Sequence, residues 1–493
     1  MTDEVQRLQK LLAEKEALIA KQAARLMFLE EQFRLAQQQR FGASSEGHPA
    51  QGDLFNEAEA ELDVALDASE TTVTTVNKKP VRKKLPSDLP RETIIHDIDD
   101  KTCTCCGNDL HQMGEERSEK LEFIPAQVKV IEHVRLKYSC RSCEKEGTST
   151  KIQLAPMPAS PIPKGIATAT LLSQIITSKY QYALPLYRQE SLFKQYGIEL
   201  SRKTMADWMI KSAALFTPLY QRLQAILLQQ GVIQADETTL KVISEDKIKS
   251  YMWLYCTGTD SPNNTPTPNI VLYDYQSGRA GQCAVDYLQD FTGYLQVDGY
   301  AGYEKTTATL VGCWAHARRK FIEAQTAQPK GKTGKADIAL SMIQKLYRLE
   351  ISLKDKSADD KYQQRQEKAK PLLEQFHQWL EKANVPPKTA LGAAITYCKN
   401  QWYKLIRYID DGHLTIDNNR AERAIKPFVI GRKNWLFSNT ANGANASAML
   451  YSIIETAKAN GLTPFDYVAH CLEQLSDQNA DIETLLPWNV KLS

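Results

Sequence analysis

The sequence predicts a multidomain α+β protein with an N-terminal coiled-coil helix, a small cysteine-bearing domain, a helical region, and an α/β core with an α-helical insertion. Three observations lead to this prediction. The chain has 493 residues, more than one hydrophobic core usually organises. Its apolar residues recur at helical spacing in some stretches and form short strand-like runs in others. Two pairs of cysteines separate these stretches.

The composition predicts a folded chain but does not identify a partner. Hydrophobic residues make up 42% of the chain and charged residues 24%, and the formal net charge is +2. A charge so near zero gives no argument for nucleic acid, so that argument must come from local clusters. We see no signal peptide and no apolar run long enough to cross a membrane. We therefore expect a cytoplasmic protein without a membrane partner.

Residues 1–41 are predicted to form one long helix, because they contain neither Pro nor Gly. Apolar residues recur at alternating steps of four and three, which is the seam of a coiled coil. This seam predicts a homo-oligomer, most simply a dimer. An amphipathic helix packed on its own protein is the alternative. The apolar seam residues include Leu8, Leu12, Ile19, Leu26, Leu29 and Phe33.

Residues 42–90 are predicted to form a linker whose charge reverses along its length. The stretch from Gly42 to Asn77 is acidic and lacks Lys and Arg, whereas basic residues surround Pro80. One interpretation is a solvated tether. The other is a basic strip that lies on phosphates.

Residues 91–160 are predicted to form a zinc-binding domain, because they contain two C-x-x-C pairs. Four thiolates on two tight turns complete the tetrahedral shell of one structural Zn²⁺. Cys105 is an alternative ligand to Cys106, although the glycine after Cys106 favours the latter. The predicted ligands are Cys103, Cys106, Cys140 and Cys143.

Residues 161–230 are predicted to be helical and to include a helix-turn-helix. A first helix stops at Gly197, and Ser201 is a suitable N-cap for a second. The second helix carries Arg202 and Lys203, which are placed to contact DNA in a major groove. Two ordinary packed helices are the alternative.

Residues 231–316 contain five strand-like segments, of which the first ends at Asp236 and the fourth at Asp298. With a helix before the fourth strand, this order matches a ribonuclease-H-like core. In that fold the first and fourth strands are parallel neighbours, so the two aspartates are expected to lie side by side. Two such carboxylates repel each other unless a cation neutralises them.

A third acid, Glu422, is predicted on a helix that follows a helical insertion at residues 317–412. Residues 413–460 are expected to complete the core, and residues 461–493 to form a C-terminal tail region. Carboxylate oxygens suit Mg²⁺ or Mn²⁺, and two such ions can clamp both reacting oxygens of a phosphodiester. The predicted catalytic residues and ligands of these two ions are Asp236, Asp298 and Glu422.

Basic, amide and aromatic side chains near the acids are the predicted DNA contacts. His316 ends the fifth strand, where it either lines the site or is a buried structural histidine. Trp435 suits a strand end or a flipped base, with core packing as the alternative. For Arg318 and Arg319 the alternative is a solvated helix face. The predicted contacts are Arg202, Lys203, His316, Arg318, Arg319, Asn419, Arg423, Lys426, Arg432, Lys433 and Trp435.

The chain resembles the insertion-sequence-66 family of transposases over nearly its full length. The resemblance implies a DDE-class transposase whose acids fall on Asp236, Asp298 and Glu422, with a helical insertion before the last acid. It also implies action on terminal inverted repeats and accessory proteins of the same element as partners. Besides the zipper and the cysteine pairs, the matching motifs are RFG at 40–42, LPLYRQE at 184–190, ADET at 235–238, VDGY at 297–300, CWAHARRKF at 313–321, DNNRAER at 417–423 and GRKNWLF at 431–437.

The expected function is therefore a DNA transposase that cleaves strands at the element's ends and joins them to target DNA in the bacterial nucleoid. One rival is a ribonuclease-H-like nuclease that only hydrolyses. The other is a decayed transposase or a non-catalytic DNA-binding regulator.

Overall fold

The structure is a computed structural model, and it describes residues 2–41, 93, 127–138, 153–245, 249–258, 268–328, 334–477 and 479–492. The chain divides into two compact units. One unit comprises Met1–Ala65 and Pro156–Ser493, and the other comprises Leu66–Ala155.

In the smaller unit the described residues form a short antiparallel ladder. Strand β1 (Lys137–Tyr138) pairs with strand β2 (Gln153–Leu154), and Arg135 Nε donates a 2.6 Å hydrogen bond to the carbonyl oxygen of Ala155. The predicted zinc ligands lie outside the described residues, so zinc coordination stays a prediction. These ligands are Cys103, Cys106, Cys140 and Cys143, and the alternative Cys105 lies outside as well.

The larger unit begins with helix α1 (Thr2–Phe41), as the periodicity predicted. Its apolar seam is exposed to solvent: Leu8, Leu12 and Leu26 are each 61% exposed, and Ile19 is 65% exposed. At these positions the seam is not covered by the residues that the structure describes. Oligomerisation through this seam stays a prediction.

The helices of the region after residue 160 bury one face and expose the other. Ser201 caps the last of the predicted helix-turn-helix elements by accepting a 3.2 Å hydrogen bond from Thr204 N, and the preceding helix stops before Gly197, whose φ of +76° suits glycine. Met205 and Trp208 are buried. These helices are α2 (Ala169–Tyr180), α3 (Leu186–Gln195), α4 (Arg202–Leu215) and α5 (Thr217–Leu227).

A five-stranded mixed sheet follows, with strand order β5-β4-β3-β6-β7. β3 pairs antiparallel with β4 and parallel with β6, β4 pairs antiparallel with β5, and β6 pairs parallel with β7. The first and fourth strands of this sheet are thus parallel neighbours, as predicted. The elements are β3 (Val232–Leu240), β4 (Ser250–Thr257), β5 (Ile270–Gln276), helix α6 (Gly281–Leu288), β6 (Tyr294–Gln296) and β7 (Thr309–Val311).

Side chains from other elements bond to both edge strands of the sheet. On β5 the backbone N–H groups of Val271 and Tyr273 donate to the hydroxyls of Thr456 and Ser452 at 3.0 and 2.8 Å. On β7 the carbonyl oxygen of Leu310 accepts a 3.0 Å hydrogen bond from an Arg407 side chain. These bonds satisfy edge groups that would otherwise be open to another strand.

The sheet packs into a core shared with α2 to α5 and with three helices from the end of the chain. The last of these helices buries Tyr467, Val468 and Leu472. Residues 461–493, expected to form a tail region, therefore contribute a helix to the core. The three helices are α12 (Asn419–Trp435), α13 (Ala441–Ala459) and α14 (Pro464–Gln474).

The predicted insertion is helical and builds a second core, in which Trp314, Phe321 and Phe376 are fully buried. Its helices are α7 (Trp314–Thr326), α8 (Lys335–Ser352), α9 (Ala358–Gln364), α10 (Lys370–Lys382) and α11 (Ala390–Leu405). A π-helical turn (Arg365–Ala369) joins α9 to α10, and short 3₁₀ turns lie at Ala301–Lys305, Ile406–Ile409 and Ile482–Leu485. No helix among the described residues combines the length and the apolar character that a membrane span requires.

Arg365 is a buried cation that ties this insertion together. Its side chain is fully paired: Nε and Nη2 donate to the two Glu350 oxygens at 2.9 and 2.6 Å. The remaining donors reach the carbonyl oxygens of Tyr408, Asp411 and Leu414. Because every donor has an acceptor, the desolvation cost of the guanidinium is offset.

Replacing Arg365 by alanine is expected to lower the free energy of unfolding by about 3–5 kcal/mol, because it leaves a largely buried carboxylate and three carbonyls without their donor. Denaturant unfolding followed by circular dichroism measures the effect. Arg348→Ala, an exposed arginine on α8, is the matched control. A loss no larger than that of the control contradicts the structural role of Arg365.

Candidate active site

The two aspartates occupy equivalent places on neighbouring parallel strands. The last parallel pair between β3 and β6 is Gln234 with Gln296. Asp236 and Asp298 each lie two residues beyond this pair, and residues two apart on a strand share a face. The strand order and the register therefore bring both carboxylates to one place.

The strand ends differ from the sequence prediction. Asp236 does not end its strand, because β3 continues to Leu240 by pairing with β4. Asp298 lies beyond β6, which stops at Gln296. Because β6 ends here, the side of β3 next to Asp236 has no paired strand beyond Gln234, and Asp236 interacts electrostatically with Asp298 and Glu422.

The start of α12 is fixed to the same two strands. Asn418 Nδ2 donates a 2.8 Å hydrogen bond to the carbonyl oxygen of Ala235, and Asn418 N donates to Cys313 Sγ at 3.3 Å. Gln296 Nε2 donates to the carbonyl oxygens of Thr415 and Asp417. Glu422 lies in the first turn of this helix, where the helix dipole favours a carboxylate.

The three acids interact electrostatically. Burial raises the pKa of Asp236 well above its usual value, and the nearby carboxylates of Glu237, Glu422 and Asp298 raise it further. A 2.8 Å hydrogen bond from Glu237 N to Asp236 Oδ1 opposes this rise. Asp298 Oδ1 accepts a hydrogen bond of 2.8 Å from Tyr300 N. The local backbone therefore orients both aspartates.

Glu422 is only 2% exposed. Burial raises its pKa to about 7; Arg319 opposes this rise, and the charges of Asp417 and Asp298 add to it. None of the described residues gives a hydrogen bond to either of its carboxylate oxygens. Because a buried carboxylate without hydrogen bonds is costly, these oxygens suit the ligands of a divalent cation.

His316 lies in the first turn of α7 and not at the end of a strand, so the sequence prediction of its element was wrong. β7 stops at Val311, and Gly312 N turns away to donate to the carbonyl oxygen of Lys404. His316 Nδ1 is 3.5 Å from Glu422 Oε1. Burial and the charge of Arg319 lower the pKa of His316 to about 4. The imidazole therefore lines the site as a neutral group.

Glu237 is an acid of this region that the sequence analysis did not assign. It accepts hydrogen bonds from Tyr303 Oη at 2.6 Å and from Arg279 Nε at 2.8 Å. The Arg279 guanidinium lies 3.8 Å from the centre of the Tyr300 ring. This network holds the segment after Asp298. The sequence could have predicted the separate role of Glu237, because side chains alternate along a strand and Glu237 therefore lies on the face of β3 opposite to Asp236.

Two of the predicted DNA contacts pack against the protein itself, Asn419 buried and Trp435 partly buried. Asn419 is buried, and its Nδ2 donates a 2.8 Å hydrogen bond to Asp417 Oδ2, so it helps to form the start of α12. The Trp435 ring packs edge-on against Tyr180, with centroids 6.3 Å apart. The packing alternative for Trp435 is thus what the structure contains.

The remaining predicted contacts are exposed or partly exposed. Arg202 and Lys203 lie on the exposed face of α4. Arg432 donates to the hydroxyls of Thr238 and Thr239, farther along β3 than Asp236. The exposed apolar residues of this segment are Leu436 and Phe437, 68% and 43% exposed, and not Trp435. The partly or fully exposed contacts also include Arg318, Arg319, Arg423, Lys426 and Lys433.

Comparison with known proteins gives four family profiles that match different parts of the chain. Their descriptions are "Transposase C of IS166 homeodomain" at residues 28–94, "zinc-finger binding domain of transposase IS66" at 100–144, "Transposase IS66 family" at 164–446 and "IS66 C-terminal element" at 452–488. These matches define a transposase with zinc-finger, leucine-zipper-like and DNA-binding domains. The chain belongs to the IS66 family of transposases.

Its relatives include uncharacterized proteins of Sinorhizobium fredii (strain NBRC 101917 / NGR234). Protein y4jD is 35% identical over 426 residues, which cover 83% of this chain and 81% of the relative. Protein y4hP is 33% identical over 460 residues, which cover 88% of this chain and 82% of the relative. No solved structure matches the chain.

The raised pKa of Glu422 predicts a pH dependence of stability in protein without added divalent ions. Between pH 4.5 and about 7 the folded state holds a proton that the unfolded state has lost. The proton bound to Glu422 therefore stabilises the folded state at low pH, and this stabilisation is lost as the pH rises through 7. Glu422→Gln, which cannot ionise, is therefore expected to be more stable than the wild type at pH 8 by up to roughly 3 kcal/mol.

Thermal unfolding between pH 5 and pH 8 measures this difference, and the slope against pH should be flatter for Glu422→Gln than for the wild type. The exposed Glu473→Gln is the control and should keep the wild-type slope. Equal slopes for all three proteins contradict the perturbed carboxyl.

Proposed function

We propose that this chain is a DNA transposase of the DDE class, which cleaves DNA at the ends of its element and joins those ends to target DNA. The proposed catalytic residues are Asp236, Asp298 and Glu422, in a ribonuclease-H-like core. One observation carries the proposal: two aspartates, each two residues beyond the last pair of two parallel strands, interact electrostatically with a buried glutamate whose oxygens accept no hydrogen bond from the described residues. The strand order and the IS66 family support it.

The three acids are proposed to hold two Mg²⁺ or Mn²⁺ ions. Asp236 interacts electrostatically with both of the other acids, so it would be the carboxylate that both ions share, and Asp298 and Glu422 would each hold one ion. When bound, such ions activate a water molecule and stabilise the leaving oxygen of a phosphodiester. The chain's own part is to fix the carboxylates, through Tyr300 N at Asp298 and through Asn418 at the start of α12.

The proposed reaction needs no covalent protein intermediate. Hydrolysis at the element's end frees a 3′-hydroxyl, which then attacks a phosphodiester of the target DNA. Because both steps are in-line phosphoryl transfers, one site of fixed carboxylates serves both. The work of the protein is to position two DNA strands at one place.

The exposed basic side chains are proposed to bind the DNA. α4 presents Arg202 and Lys203 to solvent, while Arg318, Arg319 and Arg432 lie on elements that also contribute to the site. Because such contacts release counterions, DNA binding should weaken steeply with salt. We further propose one structural Zn²⁺ on the cysteine pairs, accessory proteins of the same element as partners, and action at the DNA of the cytoplasm.

Helix α1 is proposed to join two copies of the chain. Its apolar seam is repeated along the helix and exposed, and a matching seam on a second copy would remove it from water. A dimer also matches the task, since a transposition event involves two ends of one element.

Asp236→Asn is expected to abolish both strand cleavage and strand joining, because the amide removes the charge shared between the two ions. The assay incubates the protein with a labelled element end, target DNA and Mg²⁺, and scores nicking and joining separately. Binding of the same DNA should be retained. Asp286→Asn, at an exposed position on α6, is the matched control.

Each outcome of this assay has a definite meaning. Cleavage by Asp236→Asn at the wild-type rate contradicts the catalytic assignment. Nicking without joining by the wild type points to a nuclease that only hydrolyses. DNA binding without either reaction points to a decayed transposase or a regulator.

The double variant Leu12→Glu with Ile19→Glu is expected to lower the oligomeric state of the full chain, because it introduces charge into the seam of α1. Light scattering measures the mass. Ala13→Glu with Ala17→Glu adds the same charge at positions outside the seam of the same helix and should leave the mass unchanged. If both double variants keep the wild-type mass, α1 does not join the copies.

A further inference from the structure

Three ligand-type atoms converge at Glu422, and two of them belong to residues outside the set of carboxylates proposed above. They belong to Glu422, to His316 and to Cys313, and they all lie within 4.8 Å of one another. Cys313 precedes α7, His316 lies in its first turn, and Glu422 comes from the first turn of α12. Two helix starts therefore face each other through a carboxylate, an imidazole and a thiol.

The imidazole and the carboxylate approach each other without forming a hydrogen bond. His316 Nδ1 is 3.5 Å from Glu422 Oε1, and among the described residues neither atom has a hydrogen-bond partner. Buried polar atoms are nearly always paired, so two unpaired atoms that face each other need an explanation. The two atoms are therefore candidate ligands for one bound cation.

The separation of these two atoms suits a shared metal ion. A divalent ion holds nitrogen and oxygen ligands at about 2.1 Å. Two such ligands at octahedral to tetrahedral angles are then about 3.0–3.5 Å apart. The observed 3.5 Å lies at the upper end of this range, so the two atoms are spaced as two ligands of one ion would be.

The balance of charges around His316 and Glu422 is compatible with a bound cation. Arg319 Nη2 lies 4.0 Å from Glu422 Oε2, the oxygen that does not face His316, and Arg423 and Lys320 add positive charge nearby. Asp298, Asp236 and Asp417 add negative charge. Arg319 thus neutralises one side of the carboxylate, while the side facing His316 stays available.

Cys313 has a different task. Its Sγ accepts the hydrogen bond from Asn418 N at 3.3 Å, and the side chain is fully buried. The thiol therefore belongs to the frame that fixes the start of α12. Mg²⁺ and Mn²⁺ also disfavour sulfur ligands.

We infer that His316 is a metal ligand, which shares the ion held by Glu422 and gives that ion one nitrogen ligand. This inference rests on the proposed function, since it concerns one of the two proposed ions. Imidazole is a softer ligand than carboxylate or water. The position at Glu422 should therefore prefer Mn²⁺ to Mg²⁺ more strongly than the position at Asp298 does.

The test is pulsed electron paramagnetic resonance of Mn²⁺ bound to the full chain. Mn²⁺ is the probe because the thiolates of the cysteine pairs bind it poorly. A nitrogen ligand gives the Mn²⁺ signal a ¹⁴N coupling, and protein labelled with ¹⁵N-histidine should show ¹⁵N coupling instead. This comparison uses the wild-type chain, so it does not depend on the folding of a variant.

Variants then assign the nitrogen. His316→Ala should lose the coupling and bind Mn²⁺ roughly tenfold more weakly, a loss of about 1.4 kcal/mol. His413→Ala is the control, because His413 is exposed and forms a pair with Asp411 at 2.8 Å that could itself attract Mn²⁺. His413→Ala should keep both the coupling and the affinity.

The two proposals fail in different ways. If Mn²⁺ binds and Asp236→Asn removes it, but no histidine coupling is seen, His316 is not a ligand and the transposase site stands. If the coupling persists in His316→Ala and disappears in His413→Ala, His413 is the ligand instead; His316 is then not a ligand, and the transposase site stands. If no Mn²⁺ binds, or if Asp236→Asn does not affect binding, the proposed metal site fails and the inference fails with it.

Discussion

The arrangement of the site depends on how the start of α12 is tied to the sheet. Asn418 reaches the backbone of β3 through Ala235, and Gln296 of β6 reaches back to the residues just before the helix. These bonds join segments more than 100 residues apart in sequence. Without these bonds, the position of the helix that carries Glu422 would not be fixed relative to the two strands. The insertion can therefore be long, because its two ends are held at the sheet.

The same hydrogen bonds also place several carboxylates in a buried region, where their negative charges repel one another. They bring Glu422 to the region of two aspartates, and burial then raises the pKa of both Asp236 and Glu422. Nearby arginines neutralise part of this negative charge, as Arg319 does at one oxygen of Glu422. The remaining negative potential, together with unpaired oxygens, makes a place suited to cations. Structural stability and affinity for metal are thus opposed at this site.

Much of the arrangement of the site could be predicted from the sequence. The predictions that were wrong have a common cause, because each depended on a contact with a distant part of the chain. The strand order predicted that the strands of Asp236 and Asp298 are neighbours, because this depends on the succession of elements and on chain topology. The end of β3 could not be predicted, since the strand continues only because a partner strand pairs with it. His316 was misplaced because a hydrogen bond between Gly312 and Lys404 ends β7 early. The packing of Trp435 depends on Tyr180, which is also distant in sequence.

The bonded edges of the sheet have a consequence for how copies of the chain can meet. A β-sheet with a bare edge is able to grow by taking a strand from a neighbour, and a protein that gathers several copies on one DNA molecule concentrates such edges. Here the hydroxyls of α13 occupy one edge, and Arg407 bonds to the other. Association of the catalytic cores through their sheets is disfavoured. Under the proposed function, copies gathered on one DNA molecule would not polymerise through their sheets, and helical surfaces and the nucleic acid would set their stoichiometry.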